Sequence, residues 1–133
     1  MITCFLVASA GVINNTVSIG GQSVPVQSIS GWIIWMRKVA SVTYDWGLPW
    51  VSYKNGFGSV GDSNYWLGLE RVYRMTSSAN YRLRIEFFVG QWFSAEYWSF
   101  VVGEETTTKY RLNVDGYAEL KGIFSIYFVA IIP

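Results

Sequence analysis

The stretch Trp50-Val51-Ser52-Tyr53-Lys54-Asn55-Gly56-Phe57-Gly58, followed by Tyr65-Trp66-Leu67-Gly68-Leu69-Glu70, decides the fold. Pro49 suits a first helical turn because its φ is fixed, and Gly56 supplies a left-handed residue to end the helix. Trp50 and Tyr53 fall three apart and so share a face. Leu69, Val72 and Tyr73 predict a second short helix over residues 69–75, with Glu70 at its positive end. Further on, Tyr110-Arg111-Leu112-Asn113-Val114-Asp115-Gly116-Tyr117 reads as a strand ending in a tight glycine turn.

Around these pieces the hydrophobic period is two. Tyr81, Leu83, Ile85 and Phe87 alternate with Arg82, Arg84 and Glu86, the pattern of a half-buried antiparallel strand. Residues 109–114 repeat it, with Tyr110, Leu112 and Val114 inside. Trp32 to Met36 and Tyr97 to Val102 are continuous apolar runs, expected to be strands covered on both faces. Gly11 to Asn14, Thr16 to Ile19 and Val24 to Gln27 read as short strands separated by Asn14-Asn15 and Gly20-Gly21. The expected class is α+β: a mainly antiparallel sheet with two short helices.

Composition narrows the function. With 133 residues, half of them apolar, and seven Trp, nine Tyr and eight Phe, the chain suits one domain, 1–133, with a real core. No histidine is present, which removes His-based acid–base catalysis, Ser-His and Cys-His nucleophile pairs and most catalytic zinc sites. No catalytic, cofactor-binding or metal-binding residue is expected. The net charge of +1 without a basic cluster argues against nucleic acid. Cys4 is the single cysteine, so no internal disulfide forms. The run Cys4 to Val7 lacks the basic flank and length of a secretory leader. The apolar run at 123–132 is shorter than the ~20 residues that span a bilayer.

Read as a pattern, these residues resemble the fibrinogen C-terminal (fibrinogen-related) domain of fibrinogens, ficolins, tenascins and angiopoietins. The Gly-Trp strand is Gly31 to Lys38. The Trp-x-x-Tyr-x-x-Gly-Phe-Gly element is Trp50 to Gly58, and the aromatic-Trp-Leu-Gly step is Tyr65 to Gly68. Glu70-Arg71-Val72-Tyr73-Arg74-Met75-Thr76 stands where the family has Glu-x-Ile-His-x-Leu-Thr. Leu83-Arg84-Ile85, Tyr97 to Glu105 and Tyr110 to Tyr117 complete the order, from about residue 10 to 118. The resemblance implies a non-catalytic, extracellular or secreted recognition module, lectin-like or protein-binding, with carbohydrate or protein ligands.

Departures from the family pattern shape the expectation. An N-terminal cysteine there pairs with one just upstream of the Gly-Trp strand; the first is equated with Cys4, but the second position reads Val26-Gln27-Ser28. The family's helix histidine is Tyr73. Beyond Tyr117 the resemblance stops, so the family's calcium loop and acetyl-sugar pocket are expected to be missing, the domain being a truncated one with a divergent tail over 119–133. That tail is open to three readings: a partner-binding strand that supports self-association, a membrane-seeking segment, or non-native sequence, the last favoured because it starts where the pattern ends. The alternative to a recognition module is a truncated structural remnant acting through oligomer or matrix contacts. Trp32, Trp50, Tyr53, Phe57 and Trp66 are expected in the core. Trp46, Trp92 and Phe93, in expected loops, are the candidates for exposed ligand contacts. Glu104-Glu105 is read as a solvated turn, Gly56-Phe57-Gly58 as a backbone device, and Asn14-Asn15-Thr16 as an N-glycosylation sequon.

Overall fold

The computed structural model describes residues 2–5, 12–39, 43–59, 64–88 and 90–121; for 2–5, 88, 92 and 118–121 it describes the backbone alone. The strands are β1 (Ile2–Phe5), β2 (Ile13–Ile19), β3 (Gln22–Ile29), β4 (Trp32–Arg37), β5 (Tyr65–Trp66), β6 (Tyr81–Phe88), β7 (Trp92–Val102) and β8 (Leu112–Lys121). Among the described residues three helices interrupt them: α1 (Trp50–Asn55), α2 (Leu69–Ser78) and α3 (Glu105–Thr108). The class is therefore α+β, with one sheet in the order β2-β3-β4-β1-β6-β7-β8 and β5 paired to β4. Most pairings are antiparallel; β1 is the exception, running parallel to both β4 and β6.

Local chemistry explains the left half. β2 and β3 pair without interruption from Ile13↔Ser28 to Ile19↔Gln22, and β3 meets β4 from Gln27↔Ile34 to Ile29↔Trp32. Both hairpins turn on two residues of positive φ, Gly20-Gly21 and Ser30-Gly31, whose backbone twist matches that of the flanking strands. The Asn pair lies inside β2 rather than between two strands, because its side chains are exposed and cost nothing there.

The core joins the sheet to α2. Val26, Ile34, Leu67 and Val72 are fully buried, and Leu83, Phe100 and Val102 nearly so. α2 extends three residues beyond the predicted Met75, to Ser78, and packs on β7. The buried Thr76 hydroxyl accepts from Val102 N at 3.1 Å, so the helix is fixed to the strand by a polar contact as well as an apolar one.

Three expectations for the last third are corrected. Glu104-Glu105 is not a plain turn: Thr108 N and Lys109 N donate to the carbonyls of Glu104 and Glu105, and α3 forms there. Lys109 and Tyr110 then adopt left-handed φ of 54° and 58°, so the strand expected from 109 starts at Leu112. Nor is Asp115-Gly116 a hairpin turn. Gly116 takes φ 65° inside β8, its N–H satisfied by Asp115 Oδ1 at 2.6 Å, and the strand continues to Lys121. The readings of the tail at 123–132 fall outside the described residues.

Candidate functional site

Two glycines build the corner that the opening motif predicts. α1 ends at Gly56, whose φ is 98°, and α2 begins after Gly68, whose φ is 106°. A Cβ on Gly68 would lie 2.7 Å from the Asn55 carbonyl carbon, and one on Gly56 would lie 2.6 Å from the Leu67 carbonyl oxygen. The two chain segments therefore touch backbone to backbone. That contact brings α1 beside α2.

At this junction polar groups close on one another. Glu105 Oε1 accepts from Trp50 Nε1 at 3.0 Å, while Glu105 Oε2 binds Lys54 Nζ. The Tyr110 hydroxyl donates to Glu70 Oε2 at 2.6 Å, and Arg74 Nε donates to Glu70 Oε1 at 3.0 Å. The Trp50 and Tyr110 rings lie 5.8 Å apart. Trp50, expected in the core, is 36% exposed because its ring lies on the outside of this junction and its N–H is used by Glu105. The Lys54 hydrogen bond holds the Glu105 carboxyl below its usual range, and the Tyr110 hydroxyl does the same for Glu70. Burial, and then the Glu70 hydrogen bond, push Tyr110 up.

Both carboxylates are thus easier to ionise in the folded chain than in the unfolded one. Their stabilising contribution is complete above the ordinary glutamate value of 4.5 and is lost as pH falls through the lower folded values. The urea midpoint is therefore expected to drop between pH 6 and pH 3. In Glu105→Gln that drop shrinks, since one of the responsible groups no longer titrates. An equal drop in the variant counts against this assignment.

A second assembly lies on the strands. Arg82 of β6 stacks its guanidinium 3.8 Å from the Trp98 ring of β7, with the Trp32 ring of β4 5.8 Å away. Arg82 Nη2 pairs with Glu96 Oε2 at 2.7 Å, and Arg84 pairs with Glu86 at 2.7 Å and reaches Glu96 at 3.6 Å. Burial raises the Glu86 carboxyl despite Arg84 beside it. Trp98 is 58% exposed. Gly116 of β8 supports it, since a Cβ there would lie 3.0 Å from the Trp98 Cβ. The indole is thus held by a cation on one side and a bare backbone on the other, with ring surface left to solvent.

The expected contact residues are placed differently. Phe93 does not lie in a loop: it belongs to β7, is 5% exposed and stacks on Phe87 at 5.3 Å. The reason is register, since Phe87 and Phe93 are direct cross-strand partners. Trp92 also belongs to β7; its side chain, like that of Cys4 in β1, is outside the described residues. Trp46 does lie in the loop before α1. It is half-buried, edge-on to Phe57 at 5.1 Å, with Lys38 Nζ 5.9 Å from its ring and its carbonyl accepting from the Tyr53 hydroxyl. Asn14 is exposed in β2. Trp98 escaped the sequence reading because residues 97–102 look like an unbroken apolar run. The usable signal was Glu96 and Trp98, two apart, beside the Arg82 and Arg84 alternation.

Among the described residues no three His, Cys, Asp or Glu side chains gather as metal ligands, and no helix is long and apolar enough to cross a membrane. Residues 26–124 match the family model of fibrinogen beta and gamma chains, C-terminal globular domain. Human Tenascin-R is 38% identical over 88 residues, which is 65% of this chain and 6% of that protein. Mouse Angiopoietin-related protein 2 is 36% identical over 89 residues, 65% of this chain and 17% of that protein. Among solved structures, the fibrinogen-like globe domain of human ANGPTL6 superposes with a TM-score of 0.72 at 28% identity, covering 83% of this chain and 52% of that one. A lamprey fibrin D-dimer complexed with the peptide ligand Gly-His-Arg-Pro-amide gives a TM-score of 0.72 at 25% identity, over 90% of this chain and 42% of that one. This chain spans about half of the ANGPTL6 globe domain and a small part of the curated relatives. Domains of this kind are non-catalytic recognition modules, and with the glycine corner, the aromatic-Leu-Gly step and the sheet all in place, the chain belongs to the fibrinogen C-terminal domain family.

Proposed function

We propose that the chain is an extracellular recognition module that binds a protein surface without calcium. The observation that carries this reading is Trp98, 58% exposed and stacked on Arg82 at 3.8 Å. Tryptophan and arginine dominate the energetic centres of protein interfaces. An indole already fixed by a guanidinium loses little side-chain freedom on docking, which leaves more of its burial free energy for affinity. The family resemblance supports the extracellular location and implies protein or carbohydrate ligands, and the exposed Trp98 stacked on Arg82 favours a protein surface.

The test is binding of the fluorescently labelled full chain to the surface of cultured mammalian cells, in calcium and in chelator. The expected result is chelator-resistant binding that trypsin treatment of the cells removes and glycosidase treatment leaves intact. Trp98→Ala is expected to weaken it at least tenfold without moving the urea midpoint by more than a small fraction. Binding that glycosidase or chelator abolishes overturns the protein reading in favour of a calcium-dependent lectin, which a glycan array then identifies. No binding at all supports the structural remnant.

A further inference from the structure

Among the described residues the sheet ends in β2 on one side and β8 on the other, and the two are defended unequally. β8 carries Asp115, Glu119 and Lys121, a register shift opposite Glu96/Tyr97, and a positive-φ glycine in its middle. Charges and bulges of this kind keep an open edge from pairing with another chain. β2, at the other end of the sheet, reads Ile13-Asn14-Asn15-Thr16-Val17-Ser18-Ile19 and has no charge and no proline. Its pairing with β3 has no bulge. Ile13 is 59% exposed, and Asn14, Asn15 and Thr16 are exposed beside it. A flat, uncharged edge of seven residues is the form that invites edge-to-edge association.

The sequence holds one Asn-x-Ser/Thr sequon, and it occupies this edge, at Asn14-Asn15-Thr16. The Asn15 side chain is engaged, its Oδ1 accepting from Thr16 N at 2.8 Å. We infer that Asn14 carries an N-linked glycan which shields the β2 edge. In the transfer, the Asn14 amide nitrogen attacks the anomeric carbon of an oligosaccharide carried on a lipid pyrophosphate. The new bond is carbon to nitrogen, the nitrogen gives up one proton, and the lipid pyrophosphate leaves. A bulky hydrated glycan at this position supplies what side-chain charge supplies on β8. The inference rests on passage through the secretory pathway, which belongs to the extracellular reading above.

The full chain is secreted from cultured eukaryotic cells behind a cleavable leader, and its intact mass is taken before and after peptide N-glycosidase. The expected result is a single glycan that the enzyme removes. It is absent from Asn14→Gln and from Thr16→Ala and retained in Thr16→Ser. An unmodified secreted chain overturns this inference and leaves the recognition reading standing, because cell-surface binding by Trp98 does not depend on the glycan. Light scattering of the secreted chain is expected to rise several-fold once the glycan is removed. Unchanged scattering overturns the shielding role.

Discussion

Gly68→Ala is expected to cost about 2–6 kcal/mol of stability, the largest loss of any single substitution considered. The residue has φ 106°, a region that L side chains rarely adopt, at a cost of about 1–3 kcal/mol. Its new Cβ would also lie 2.7–2.9 Å from Asn55 C, Gly56 N and Asn55 O. These are backbone atoms of the α1 terminus, so no side chain can turn aside. Overpacking of this kind adds about 1–3 kcal/mol. The sum is a large part of the total stability of an ordinary domain, which is about 5–15 kcal/mol. Gly21→Ala separates the two contributions: φ there is 77°, but nothing lies within 4 Å of the added methyl. It is expected to cost about 1–2 kcal/mol, the conformational part alone. Urea midpoints of the two variants decide the matter, and equal losses would show that the glycine contact does not hold the corner.

Trp66→Ala is expected to cost about 3 kcal/mol, the lower end for deleting a large aromatic from packed surroundings. The sequence places Trp66 in the core, whereas the structure leaves it half-buried. Its ring nevertheless meets Trp35 at 5.0 Å, Tyr53 at 5.6 Å and Phe57 at 6.3 Å. Through Trp35 it is coupled to the buried Phe100, 5.7 Å further on. The indole N–H donates to the Tyr53 carbonyl at 2.8 Å, tying the strand pair to α1. Trp66→Phe keeps a ring and loses that hydrogen bond, for about 1 kcal/mol. A loss under about 1 kcal/mol for the alanine variant contradicts the role given to this ring.

Where local chemistry sets the structure, the sequence was sufficient. Gly20-Gly21 marks its hairpin, Pro49 and Gly56 bracket α1, and the Leu69, Val72 and Tyr73 stripe locates α2. Where register decides, it was not. Phe93 is buried because it lies opposite Phe87, and Trp98 is exposed because β7 shifts register against β6 in this part of the strand. Neither pairing offset leaves a trace in periodicity. Asp115-Gly116 has turn composition, yet its positive φ is absorbed within a strand. The Glu105 contacts join residues 50 or more positions apart, beyond the reach of any local pattern.

The position of β1 has a consequence for the order of events during synthesis. β2-β3-β4 and β6-β7-β8 are two meanders, each built by connections between sequence neighbours, and β1 joins them edge to edge. It is made before the other described strands, and its second neighbour, Tyr81–Phe88, follows some 80 residues later. Until β6 is made, β1 is paired to β4 on one side and leaves its other side open. Closing so long a loop costs little more entropy than closing one half its size, because the penalty grows only with the logarithm of length. What the arrangement spends is time, since the newborn chain must keep its first strand available until its middle has been made.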